Sequence, residues 1–135
     1  MRRGPLLFAL AASLLLLSAC GSSAEKPFLP GPTAACLRQH DFEASTSKGV
    51  PLVETAAANG GLRASPPGGG NTLVVGFAAD EQGAADLRRT IRRLAPAKLR
   101  AHLSDIVSSS RNAVLVWTVS PTQEQQQTVL GCLSS

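Results

Sequence analysis

The most regular hydrophobic pattern in the chain is the alternation in "TLVVGFAA", Thr72 to Ala79. Leu73, Val75 and Phe77 share one face, and Val74, Gly76 and Ala78 share the other. Both faces are apolar or small, so the pattern predicts a central strand covered on both sides. A second such run, "AVLVWTV", spans Ala113 to Val119. Between them the period changes. Ala84, Leu87, Ile91 and Leu94 recur at helical spacing and predict an amphipathic helix over Glu81 to Ala95. Asp80 is its expected N-cap, and Glu81 and Asp86 sit near the positive end of its dipole. Pro96 ends it or starts a short second piece through Lys98 to His102.

The weaker patterns fill in the rest. Thr33 to His40 predicts a short helix, with Gly31 and Pro32 blocking an earlier start and Cys36 and Leu37 facing inward. Phe42 to Thr46 and Leu62 to Ser65 are short strands, and 48–61 fits either a helical turn or a loop. The turn-forming "PPGGGN" predicts a hairpin between Leu62–Ser65 and the strand from Thr72. Ser104 to Val107 predicts a strand that turns through "SSSRN". In "SPTQ", Ser120 is the expected N-cap, Pro121 the first helical residue and Gln123 the reciprocal partner. The last helix then runs from Pro121 to about Cys132, with Val129, Leu130 and Leu133 on its apolar side. The order α-β-β-β-α-β-β-α predicts an α+β domain. Its sheet is expected to be mainly antiparallel, with helices packed on one face, and a ferredoxin-like arrangement fits. No repeat of fixed period is present.

The N-terminus follows a third pattern. Arg2 and Arg3 precede an apolar run of 12 residues, Leu6 to Leu17, broken only by Ser13. That is the length of a signal-peptide core and short of the ~20 residues that cross a bilayer. Leu17-Ser18-Ala19-Cys20 closes the run. These residues resemble the lipobox of bacterial membrane lipoproteins. The resemblance covers only the leader and Cys20. It implies cleavage before Cys20, a diacylglycerol on its sulfur and a palmitate-type acyl chain on its amine. It also implies a lipid-anchored protein on the extracytoplasmic side of a cell membrane. Plain secretory cleavage after Ala19 is the competing outcome. The chain then divides into a signal peptide at 1–19, an anchored flexible tether at 20–32 and one domain at 33–135. The tether segment "GSSAEKPFLPGP" has twelve residues after Cys20 and reaches at most about 40 Å.

Composition changes the picture in two places. The whole chain has 13 Lys and Arg against 9 Asp and Glu, a net charge of +4. Loss of the leader removes Arg2 and Arg3 and leaves about +2, too little to argue for nucleic acid. With no tyrosine and one tryptophan there is no stacking platform for bases either. The chain has three cysteines. With Cys20 carrying lipid, Cys36 and Cys132 form an even pair in an oxidising compartment. Their disulfide would close a loop of about a hundred residues, contributing up to ~4.7 kcal/mol in the chain-entropy model. Two buried free thiols are the alternative.

The search for chemistry yields little. His40 lies four residues after Cys36, on one helical face, but a structural zinc site takes four ligands. A histidine near a helix C-terminus has an ordinary electrostatic reason to be there. His102 and Asp105 are three apart and could pair. No serine stands in a G-x-S-x-G context, and "PPGGGNT" lacks the lysine and following helix of a P-loop. No catalytic constellation, metal or cofactor is therefore expected. One motif points outward. In "LRRTIRRL", Arg88 and Arg92, and Arg89 and Arg93, stack at i,i+4 away from the apolar stripe. Guanidinium forks suit phosphate and carboxylate, so anionic lipid headgroups or an acidic envelope partner are the expected contacts. A solvated helix face is the plainer alternative. The pattern predicts an interaction or structural module of the cell envelope. A small-ligand binding lipoprotein, with a pocket between sheet and helices, is the second expectation.

Overall fold

The two alternating apolar runs lie side by side at the centre of one sheet. The computed structural model describes residues 25–46 and 57–134. The expected signal peptide at 1–19, Cys20 and most of the ambiguous 48–61 stretch lie outside the described residues. The described chain runs α1 (Pro30–Gln39), β1 (Glu43–Ser45), β2 (Gly61–Ser65), β3 (Leu73–Phe77) and α2 (Glu81–Leu94). It continues through α3 (Ala97–Arg100), α4 (Leu103–Ile106), β4 (Val107–Ser110), β5 (Ala113–Trp117) and α5 (Gln123–Leu133).

The five strands form one antiparallel sheet in the order β1-β2-β3-β5-β4. The β2–β3 hairpin pairs Leu62 with Val75, and β3 pairs with β5 from Leu73–Trp117 to Phe77–Ala113. Because β3 and β4 both oppose β5, they run parallel to each other, and α2 to α4 make the crossover between them. The loop closing the β2–β3 hairpin carries Gly68, Gly69 and Gly70 at φ 85°, 71° and 79°, a path that glycine follows without strain.

Strand periodicity sorts the core into two layers. Leu73, Val75 and Phe77 join Leu115 and Trp117 against Leu37, Val129 and Leu133, which come from α1 and α5. On the other side Val114, flanked by Val74 and Val116, packs on Ala84, Leu87 and Ile91 of α2. The domain is therefore α+β with an antiparallel sheet, as the pattern predicts. The expectation of helices on one face holds for α1 and α5 and is corrected for α2, which covers the other face. A ferredoxin-like arrangement is not obtained, since that fold has two β-α-β halves. Here a three-strand meander leads into one split β-α-β unit.

Three boundaries also move. First, α1 starts at Pro30, ahead of Gly31 and Pro32. The first-turn amides of a helix need no intrahelical acceptor, so proline is harmless there. Phe28 is buried in the core, so residues 25–32 belong to the domain rather than to the tether. Second, of the strand expected over Ser104 to Val107 only Val107 is in a strand. Leu103 to Ile106 forms a helical turn that buries Leu103, and "VSSS" supplies the edge strand. Third, the capping box lies two residues downstream of "SPTQ". Gln125 N donates to Thr122 Oγ1 at 3.2 Å, and Thr122 N donates to Gln125 Oε1 at 3.1 Å. Both frames satisfy the same S/T-x-x-Q pattern, and the chosen one buries Val129, Cys132 and Leu133.

Candidate functional site

Helix α2 is fixed by its ends and its inner face. Asp80 Oδ1 accepts from Gly83 N at 2.7 Å, and Ala84, Leu87 and Ile91 are buried. That placement turns Arg88, Arg89, Arg92 and Arg93 to solvent. An open cleft of about 370 Å³ runs between α2 and the α4–β4 segment. Ile91, Leu103 and Val107 form its apolar part, and Arg88, Arg89 and Arg92 stand along it. The four arginines are not equivalent. Arg88 Nη1 donates to Ser109 Oγ of β4 at 3.0 Å, and Arg89 pairs with Asp86. Arg92 and Arg93 make no ion pair among the described residues, and they sit where the negative end of the helix dipole favours cations. Arg93 lies outside the cleft lining.

The cationic surface is larger than "LRRTIRRL". Lys98 and Arg100 are exposed on α3, and Arg100 Nε donates to Ala95 O at 2.9 Å, closing the end of α2. Six cations fall between Arg88 and Arg100, and residues 87–104 contain no acidic residue. Two large apolar side chains stand among them. Leu94, which helical spacing assigns to the inner face, is 56% exposed, and Leu99 is 47% exposed. Leu94 joins neither core layer, so the last apolar position of α2 stays open to solvent. The sequence signal for the enlarged surface is the absence of any acid from Leu87 to Ser104.

Cys36 and Cys132 form a disulfide between α1 and α5, with Cα atoms 5.4 Å apart and a sequence separation of 96. His40 lies against it, its ring within 4.8 Å of both sulfurs. The two sulfurs are bonded to each other and offer no thiolate pair, so this grouping does not suit a metal ion. His102 Nδ1 is 3.9 Å from Asp105 Oδ2, beyond hydrogen-bond reach, and both side chains are largely exposed and outside the cleft lining.

The segment leading into the domain is tied down. Phe28 N donates to Asn112 Oδ1 at 2.8 Å, and Asn112 Nδ2 donates to Phe28 O at 3.0 Å and to Ala78 O at 2.9 Å. Arg111 Nε pairs with Glu25 Oε2 at 3.0 Å, a second nitrogen donates to Lys26 O, and the guanidinium lies 4.3 Å from the Phe28 ring centroid. Arg111 and Asn112 are the turn that joins β4 to β5. The dock therefore sits two residues along the chain from Ser109, the partner of Arg88. Composition gave no hint of it, because its donors and acceptors are mostly backbone groups 34 to 85 residues away.

Among the described residues no helix is long and apolar enough to cross a membrane. No protein-family model matches the chain, and neither the curated proteins nor the solved structures compared with it give a match.

Proposed function

We propose that this is an exported, lipid-anchored protein of the cell envelope. In this proposal the disulfide-braced α+β domain acts by contact rather than by catalysis. The lipobox-like Leu17-Ser18-Ala19-Cys20 carries the anchoring half of the proposal. One stable anchor takes two membrane signals, and acylation at both sulfur and amine of Cys20 would supply them. The contact half rests on one observation: the outward face of α2 and α3 holds six cations with no acid between residues 87 and 104. Such a face costs like-charge repulsion of a few tenths of a kcal/mol per i,i+4 pair, which an anionic partner would relieve.

The test is fractionation with intact mass. The wild-type chain is expected in the membrane fraction, starting at Cys20 and heavier by its acyl groups, and Cys20→Ala in the soluble fraction or unprocessed. An unmodified wild-type mature mass would remove the anchor. A second function has support from the cleft itself, whose volume of about 370 Å³ lies at the lower end of ligand sites. With Arg88, Arg92 and Ser104 along it, its ligand would be a small phosphate or carboxylate. Calorimetric titration with inorganic phosphate and a dicarboxylate separates the two, since contact function alone predicts no saturable heat.

A further inference from the structure

The arginines are one part of a larger surface that includes two exposed leucines, and the tether dock limits how far that surface can stand from the anchor. Between Cys20 and Glu25 there are five Cα–Cα steps, a reach of at most about 18 Å. Glu25 is held by Arg111 at the end of β4, and the same strand carries Ser109, which holds Arg88 of α2. The dock lies beside Ala78, just ahead of α2 and on the α1–α5 side of the sheet, whereas Arg92 to Arg100 lie at the far end of α2, about 20 Å along the helix at 1.5 Å per residue. The short reach from a lipid on Cys20 still keeps the whole domain close to the bilayer, so the charges on α2 and α3 act at headgroup range when that face turns to the membrane.

We infer that α2 and α3 lie on the anionic phospholipid surface of the membrane that holds the anchor. Arg92, Arg93, Lys98 and Arg100 face headgroup phosphates, and Leu94 and Leu99 enter the interface. The inference rests on the lipid-anchored proposal and names its partner. Two features favour lipid over an acidic protein. The exposed leucines sit among the cations, the arrangement of an interfacial helix. Arg93, Lys98 and Arg100 also lie outside the cleft lining, so the charges are not confined to a groove that an acidic segment would fill. Arg88 and Arg89 contribute less, because Ser109 and Asp86 already hold them.

The experiment reconstitutes the full mature protein, as extracted from its membranes, in two vesicle types, zwitterionic phospholipid alone and the same lipid with one third anionic phospholipid. Flotation is followed by backbone hydrogen exchange of residues 94–102. The expected result is flotation with both vesicles, and exchange about tenfold slower on the anionic ones. The slowing is lost in 0.5 M salt and in a variant carrying Arg92→Gln, Arg93→Gln, Lys98→Gln and Arg100→Gln. A Leu94→Ser, Leu99→Ser variant keeps flotation and loses part of the slowing. Equal exchange on both vesicles overturns the inference and leaves the anchor standing, as does slowing that appears only when an acidic envelope protein is added. Flotation with anionic vesicles alone supports the surface and removes the anchor. Flotation with neither removes both.

Discussion

At the scale of single residues, two buried polar side chains behave in opposite ways. Asn112 is 2% exposed and uses both ends of its amide on Phe28 and Ala78. Asn112→Ala leaves three backbone groups without that partner and is expected to cost about 3 kcal/mol in chemical denaturation, with an unchanged m value. A cost under about 1 kcal/mol would mean water replaces the amide and the dock is weaker than its geometry indicates. Trp117 is equally buried, but its Nε1 has no hydrogen-bond partner among the described residues. Its contribution is therefore packing. Trp117→Phe is expected to cost about 1 kcal/mol, and Trp117→Ala about 3–5 kcal/mol. Equal costs for the two would show that the indole N–H does have a partner. The apolar run from Ala113 to Val119 is enough to place Trp117 in the core. Sequence pattern does not place Asn112, because an asparagine beside a turn is ordinary and its partners lie up to 84 residues away.

At the scale of elements, what the sequence showed depended on whether an element carries its own pattern. β3, β5 and α2 do, through periods of two and 3.6, and they form where those periods put them. The double-sided apolar pattern of β3 already required cover on both faces, and α2 supplies the second cover. β4 has no pattern, since three of its four residues are serines. It is an edge strand, where backbone pairing with β5 suffices and polar side chains face water. α1 was masked by prolines that read as breakers and are first-turn residues. α1 and α5 are short, and the first has a proline-rich start, so their docking leans on the disulfide. Replacing Cys36 and Cys132 together by alanine is expected to cost about 2–5 kcal/mol and to lower Tm by about 10–20 °C. A loss below about 1 kcal/mol would mean that Leu37, Val129 and Leu133 hold the two helices without it.

At the scale of the whole molecule, the candidate site combines a part visible in sequence with a part that only the fold brings together. The four arginines of α2 were legible as an i,i+4 stripe. Their extension through Lys98, Arg100, Leu94 and Leu99 was not, because helical spacing assigns Leu94 to the inner face and α3 is a separate short helix after Pro96. The dock of residues 25–28 depends on the β4–β5 turn in the same way. There Arg111 adopts φ 50°, a left-handed conformation that costs a non-glycine residue about 1 kcal/mol, and its side chain is held by Glu25, Lys26 and Phe28. In the lipid-anchored proposal, the dock would set the distance between anchor and domain. Opening the Arg111 contacts would add residues 25–27 to the free length, while Phe28 stays on Asn112. A protease specific for glutamate reports this opening, because Glu25–Lys26 is exposed in sequence but held in place by Arg111. Arg111→Gln removes an ion pair and a cation–π contact that together contribute about 1–2 kcal/mol locally, so the open population should rise about 5–30-fold. The expected outcome is release of a fragment beginning at Lys26 from anchored protein at a correspondingly faster rate. Global stability should change little, because Asn112 and the core remain. An unchanged release rate would mean that Asn112 alone holds the segment, and Arg111 would then be free to meet the headgroups itself.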